Sequence, residues 1–319
     1  MIIPLPVGVT VVEVGPRDGL QSLPTAVPTA MKVAMVHRLV AAGFSTIEVT
    51  AFVRPDVVPN LADAEKVMAS VPRTPGVTYR ALAPNARGAE RAAAAGVDEI
   101  CGLVTVSETY TRLNQNMGLD QAVGQALEAG EISAAAGIPH MVAVGMSMFC
   151  PYEGRIPEER TLDVVARLHA GGVRRISLAG STGMEDPRHV NGLFQAVRHE
   201  WPDMETGYHV HDLAGMGPAN VLASLAGGAT VVEGSIAGIG GGIAMPGDLG
   251  PVGNIATEDL VRLLNEMGVQ TGIQTDDAIA AARDVAALLG ITPRSFATRT
   301  GTREHVLEQG RRFPAERRA

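Results

Sequence analysis

Short apolar runs alternate along the chain with stretches whose apolar positions recur every three or four residues, and the pair repeats at roughly 25 to 35 residues. Runs of the first kind lie at Val7–Val14, Thr46–Ala51, Val77–Leu82, Glu99–Val104, Met141–Met146, Arg175–Leu178, Glu205–Val210 and Thr230–Ser235. Each reads as a buried strand. Helical stretches include Thr29–Ala42, Asn60–Ser70, Leu119–Ala136, the segment after Pro157, Pro218–Ala226 and one beginning near Thr257. Eight such units joined by right-handed crossovers predict an α/β fold closed into a (β/α)8 barrel over residues 1–275; the pattern by itself also admits an open, doubly wound sheet. Asp276–Leu289 reads as an extra helix outside the barrel. Residues 276–319 then form a C-terminal helix and a basic tail, frayed beyond Gly310.

Composition fits that fold. Hydrophobic residues make up 46% of the chain and aromatics only 3%, which suits helices packed closely on a parallel sheet. A net charge of -8 argues against general affinity for nucleic acid or an anionic membrane. Two cysteines, Cys101 and Cys150, cannot build a disulfide framework, so a reducing cytoplasm is the expected compartment. The opening segment lacks the basic and apolar regions of a signal peptide, and no run is long enough to span a membrane.

Candidate chemistry collects where strands end. Gly15 and Pro16 stop the first strand, so Arg17 and Asp18 emerge at its carboxyl end, the side on which a parallel barrel builds its site. Together they offer a metal ligand and an anion clamp, or else a pair that caps the following loop. His209 and His211 bracket Val210 near the end of strand seven, and residues two apart on a strand point the same way. Both imidazoles can therefore reach one point. Asn254, after the glycine-rich loop of unit eight, can add a carbonyl oxygen; its alternative role is to cap the next helix, a place Thr257 already fits, with Glu258 and Asp259 suiting the first turn. One carboxylate, two imidazoles and one carbonyl suit octahedral Mg2+ or Mn2+ better than Zn2+. Glu48 sits inside an apolar strand and needs a partner, for which Arg17 is the nearest choice. Gly238, Gly240, Gly241 and Gly242 lack the Lys-Ser/Thr of a phosphate-binding loop and read as a lid over the metal.

The stretches Glu13–Gln21, Ile47–Val53, Cys150–Gly154, Ile176–Leu178, His209–Asp212, Ala237–Gly241 and Gly253–Asp259 resemble, in order, those of the 3-hydroxy-3-methylglutaryl-CoA lyase family. Ser107-Glu108 and Asn114–Asn116 also match that family's loop after strand four. The resemblance implies a barrel enzyme with a divalent cation on Asp18, His209, His211 and Asn254, an acyl-CoA substrate, a homo-oligomer (dimer or tetramer), Arg17 on the enolate oxygen and Glu48 behind it. Gln21, Ala143, Gly145, Ser177, Gly180 and Gly242 would fall on its substrate side. Three departures stand out. The family's loop cysteine is Gly242 here, its Asp-Thr after strand six is Gly180-Ser181, and its Tyr and Ser on strand five are Ala143 and Gly145. A lyase acting on a different acyl group is therefore expected, with protonation left to water, Glu48 or His209 and with Cys101 and Cys150 buried and slow to react. The rival readings are a Claisen-type synthase joining an acyl-CoA to a 2-oxoacid, and a metal and CoA-ester binder without turnover.

Overall fold

The computed structural model describes residues 4–242, 245–246 and 252–316. Eight parallel strands close into a barrel: β1 (Thr10–Glu13), β2 (Thr46–Ala51), β3 (Thr78–Leu82), β4 (Glu99–Thr105), β5 (His140–Gly145), β6 (Arg175–Gly180), β7 (Glu205–Val210) and β8 (Val231–Gly234). Each pairs with its neighbours in sequence, and β8 closes on β1 with Thr10 opposite Val231 and Glu13 opposite Gly234. Closure removes the open-sheet alternative.

β1 is shorter than the apolar run Val7–Val14. Gly8 makes only an isolated bridge to Gln270, and the Val14 carbonyl accepts from the N–H groups of Arg17, Asp18 and Gly19. That wound turn, Gly15–Gly19, ends the strand and fixes the backbone of Arg17 and Asp18. The stretch Asn60–Ser70 divides into a short turn, Pro59–Leu61, and a helix, Ala64–Ser70. Between Gly241 and Val252, residues 243–244 and 247–251 of the glycine-rich loop expected to act as a lid lie outside the described residues.

The extra helix, Thr275–Leu289, packs on Thr29–Ala41 and Thr257–Glu266, and its Ala278, Ala281, Ala282 and Val285 join the main apolar core. Beyond it, the expected fraying after Gly310 is not found: Arg303–Glu316 is helical. Ion pairs at its start, Arg303 to Glu266 at 2.9 Å, and along it, Arg312 to Glu308 at 3.9 Å and i,i+4 spacing, favour continued winding of this polar segment.

Barrel interiors are ordinarily filled by branched apolar side chains. Here one interior layer is charged. Glu48, Arg80 and Glu99 stand side by side on β2, β3 and β4, and Arg80 also reaches across to Glu233 on β8. Its guanidinium lies 2.6 Å from Glu99 and 2.8 Å from Glu233, and all four side chains are buried. Buried ions of this kind hold only as a matched set, because losing one leaves an uncompensated charge in low dielectric. The layer is the floor on which the site is built.

Candidate active site and metal centre

His209 and His211 project to the same side of β7, as the strand period requires, and their Nε2 atoms lie 3.0 Å apart. The other ring nitrogens face acceptors: Nδ1 of His209 is 3.1 Å from Glu233 Oε2, and Nδ1 of His211 is 3.3 Å from the Val252 carbonyl. An acceptor at Nδ1 assigns the proton there and leaves the Nε2 lone pairs facing one another, an arrangement that needs positive charge between them. Asp18 completes the group, with Oδ2 at 3.7 Å from His211 Nε2, and the three donors lie within 4.8 Å of one another. Burial opposes ionisation of Asp18, but the charges of Arg17, His209 and His211 outweigh it and lower its pKa. Burial also works against a proton on His209; the Glu233 bond and the Asp18 charge outweigh it and raise that pKa, while burial holds His211 down to about 4.

Asn254 reaches the same point. The strand-like pairing of His211 with Asn254 sets its backbone beside β7, and its Nδ2 donates to Asp18 Oδ2 at 2.8 Å and to the Ile239 carbonyl at 2.9 Å. Its Oδ1 is buried and accepts from no described donor. An orphaned buried oxygen costs free energy unless something occupies it, and beside one carboxylate and two imidazole lone pairs it fits a hard divalent cation. The four residues suit the ion that the resemblance implies. The following helix begins at Thr257, with Ala256 at its cap and no side-chain capping bond, so Thr257 is the first helical residue rather than the cap. Gly240 closes over this cluster at φ 121°; a Cβ there would stand 2.3 Å from Asn254 Nδ2, so only glycine permits the approach.

Arg17 is held from two sides. Its Nε donates to Glu48, and its Nη1 donates to Asp18 Oδ1 at 2.7 Å, which leaves Nη2 for the cavity. Burial disfavours the guanidinium, but the Glu48 and Asp18 carboxylates prevail and raise its pKa, so the charge is permanent. Gln21, one turn on, donates to Asp18 Oδ1 at 2.7 Å and to the Gly241 carbonyl at 3.2 Å, joining Asp18 to the glycine-rich loop.

Sequence reasoning gave no role to Glu13, Arg80 or Glu233, although each is a charge inside an apolar strand. Glu233 orients His209 and is itself held by Arg80. Burial raises the Glu233 pKa, but the His209 bond and Arg80 outweigh it and bring it to about 2. Glu13 Oε1 accepts from the Gly15 N–H at 2.7 Å and the Ile236 N–H at 2.9 Å, tying the turn that carries Arg17 to the loop after β8. Burial pushes the Glu13 pKa up to about 8. A carboxyl raised in the folded state adds stability that is complete below its ordinary pKa near 4.5 and is lost as pH rises through 8. Glu13→Gln keeps the accepting oxygen and cannot ionise. Thermal melts at pH 6 and pH 9 are expected to show a smaller loss on alkalinisation for the variant than for the wild type; parallel losses would count against a neutral Glu13.

These groups open into a cavity of about 310 Å3, within the range of small-molecule sites. Gln21, Ala143, Gly145 and Gly242 line it, along with Arg17, Asp18, Glu48, His209 and His211. Ser177 and Gly180 do not. Ser177 points inward from β6 but lies a layer deeper, its Oγ 3.4 Å from where a Gly207 Cβ would stand, while Gly180 has the opposite strand parity and faces outward. A Cβ on Gly180 would meet Glu185 Oε1 at 1.8 Å, a carboxyl bonded to the Tyr208 hydroxyl at 2.6 Å. The neighbour Ser181 takes the place on the wall.

Both cysteines are free and buried. Cys150 donates to Ser107 Oγ at 3.0 Å, and Glu153 accepts from the Ser107 hydroxyl and the Thr109 N–H. The Cys-Pro-Tyr-Glu-Gly string thus clamps the helix Glu108–Gln115 that leads to Asn116 on the cavity wall. Cys101 reaches the cavity, but burial raises its thiol pKa well above the ordinary value. Iodoacetamide at neutral pH is therefore expected to leave most activity intact. Rapid inactivation prevented by substrate would reveal a working thiol.

The HMGL-like family model matches residues 8–285. The chain belongs to this family. It is 38% identical to the mitochondrial hydroxymethylglutaryl-CoA lyase of Mus musculus over 277 residues, which cover 87% of this chain and 84% of that one. It is also 38% identical to the cytoplasmic 3-hydroxy-3-methylglutaryl-CoA lyase of Homo sapiens over 84% of this chain and 72% of that one. Among solved structures, an A. baumannii HMG-CoA lyase in complex with coenzyme A and 3-methylmalate superposes with a TM-score of 0.87 at 34% identity, covering 93% of this chain and 96% of that one. The carboxyl transferase domain of Rhizobium etli pyruvate carboxylase, at 17% identity and a TM-score of 0.70, shares the fold alone.

Proposed function

We propose that this HMGL-like chain is a divalent-metal-dependent carbon–carbon lyase that cleaves a 3-hydroxyacyl-CoA thioester other than 3-hydroxy-3-methylglutaryl-CoA. The observation that carries the reading is the convergence of Asp18, His209, His211 and the orphaned Asn254 oxygen beside a guanidinium that faces the same cavity. The coenzyme A bound by the A. baumannii lyase supports a thioester in the same place. The donor set favours Mg2+ or Mn2+ over Zn2+, because it mixes hard oxygens with imidazole and includes no thiolate.

When bound, the ion supplies Lewis acidity that lowers the pKa of a nearby hydroxyl. The chain's own residues do the rest. Arg17, fixed by Glu48 and Asp18, directs Nη2 toward the thioester oxygen on which negative charge grows as the C2–C3 bond breaks. The hydroxyl proton leaves to a base, C3 becomes a carbonyl, and the electron pair passes to C2 as a thioester enolate, which then takes up a proton. Glu233 and the Val252 carbonyl keep both imidazoles turned with Nε2 inward throughout. Gly242 offers no acid, and a side chain there would have to displace Met245, whose Cε lies 2.5 Å from the Cβ position. Protonation at C2 then falls to water, since Nε2 of His209 faces the metal cluster and Glu48 is engaged by Arg17.

A cytoplasmic location agrees with two unpaired cysteines. Among the described residues no helix is long and apolar enough to cross a membrane. A homo-oligomer, dimer or tetramer, is supported by the exposed Val306, Leu307 and Phe313 of the last helix, and sedimentation will test it. The reaction is tested by supplying 3-hydroxyacyl-CoA thioesters in one set of reactions and an acyl-CoA with 2-oxoacids in another, with Mg2+ or Mn2+ and mass-spectrometric readout. Cleavage in the first set is expected. Turnover confined to the second would make the protein a synthase, and stoichiometric binding with none in either would make it a binder.

A further inference from the structure

The cavity wall opposite the metal cluster is apolar. The cluster stands on β1, β7 and the loop after β8, whereas β3, β4 and β5 form the far side of the barrel. There Leu82, Leu103 and Ala143 line the cavity, joined by Val58 and Leu61 from the segment after β2. These side chains form an apolar cluster separate from the main core. Leu103 and Ala143 are only half-buried, although they sit in paired strands flanked by buried residues, because they border the open cavity. The hydroxyls on this side, Thr105 and Ser181, are neutral, and Ser181 Oγ already accepts from the Met146 N–H at 2.9 Å.

Charge in the cavity points the same way. Among the described lining residues the carboxylates are Asp18, Glu48 and Glu233. The guanidinium cations are Arg17, engaged by two of those carboxylates, and Arg54, which is exposed and paired with Asp56, while the two imidazoles belong to the metal cluster. For a substrate whose C3 hydroxyl sits at the metal cluster, the wall across the cavity from that hydroxyl, where a C3 substituent can extend, is Leu82, Leu103 and Ala143. A carboxylate there would lose its water and gain no cation. The amides of Asn114, Gln115 and Asn116 also line the cavity, and both polar atoms of Gln115 are buried without a hydrogen-bond partner among the described residues, which suits a polar thioester carrier rather than the acyl end.

We infer that the acyl group cleaved by this chain ends in an uncharged alkyl or aryl substituent at C3, in place of the carboxylate-bearing arm of a hydroxymethylglutaryl group. The inference rests on the lyase reading above. The products are then an uncharged ketone or aldehyde, with C3 as its carbonyl carbon, and a shorter acyl-CoA that has taken up one proton at C2. Neither oxidant nor further reactant is required.

The test compares matched 3-hydroxyacyl-CoA thioesters that differ only in their C3 arm: a branched alkyl arm, an aryl arm and a carboxymethyl arm. It is run with the Mn2+-loaded wild type, and kcat/KM is read for each. Alkyl- or aryl-ended substrates are expected to exceed the carboxylate-ended one by about 100-fold or more, because an unpaired or like-charged carboxylate costs several kcal/mol. Equal or better cleavage of the carboxylate-ended thioester would overturn the inference while upholding the lyase. If none is cleaved, the lyase reading fails, and calorimetric binding of the same three compounds without their hydroxyl still decides the wall's preference. Tighter binding of the apolar arms sustains it; tighter binding of the carboxymethyl arm refutes it.

Discussion

Replacing His211 by alanine is expected to empty the metal site and to lower turnover by about 1000-fold or more. Metal analysis of the dialysed wild type should find one divalent cation per chain, and analysis of His211→Ala should find almost none. The size of the effect follows from the arrangement of the ligands. The His211 Nε2 atom is 3.0 Å from its His209 counterpart and 3.7 Å from Asp18, so its loss removes one of three charged or imidazole donors. Losing several kcal/mol of charge stabilisation corresponds to three or more decades in rate. His209→Ala should behave alike and should in addition leave Glu233 without its imidazole partner. Full activity after exhaustive chelation would remove the metal from the reaction.

Arg17→Lys is expected to lower kcat by about 100- to 1000-fold while changing KM by no more than about 3-fold. Lysine keeps the charge but has no planar fork. Arg17 uses Nε on Glu48 and Nη1 on Asp18 to aim its remaining nitrogen, and a single ammonium cannot satisfy both carboxylates and still reach the substrate oxygen. A contact that matters only as enolate charge develops lowers kcat and kcat/KM together. Steady-state kinetics on the preferred thioester will distinguish this from ground-state binding, which would appear as a rise in KM with kcat unchanged.

The alternation of apolar runs and amphipathic stretches carried all eight strands, because each parallel strand is buried on both faces and leaves a short, bounded apolar run. The candidate metal cluster was legible for a similar reason. His209 and His211 share a strand face, and Asp18 follows a strand stopped by Gly15 and Pro16. Contacts that cross the barrel were harder to read. Glu233 and Arg80 are 153 residues apart in sequence, and Glu13 meets Ile236 across 223, so no local pattern joins them. Their one signal was a charge embedded in an apolar strand, present at Glu48, Arg80 and Glu233 alike, and only Glu48 was read that way. Gly180 was misplaced by strand parity: it is the last residue of β6, and one step along a strand exchanges the cavity side for the helix side. The stretch beyond Gly310 reads as a frayed tail because it is rich in arginine, and the pairing of Arg303 with Glu266 on another helix, which anchors the start of the same helix, cannot be seen in its own sequence.

The most direct test of the lyase reading follows the proton. A 3-hydroxyacyl-CoA thioester with an uncharged C3 arm is incubated with the Mn2+-loaded protein in deuterium oxide, and the products are weighed by mass spectrometry. Cleavage through a thioester enolate should give carbonyl compound and shorter acyl-CoA in equal amounts, with a deuteron added at C2 of the acyl-CoA in each turnover, and chelator should stop both. Intact thioester after prolonged incubation with metal, or acyl-CoA formed without deuterium at C2, would contradict it.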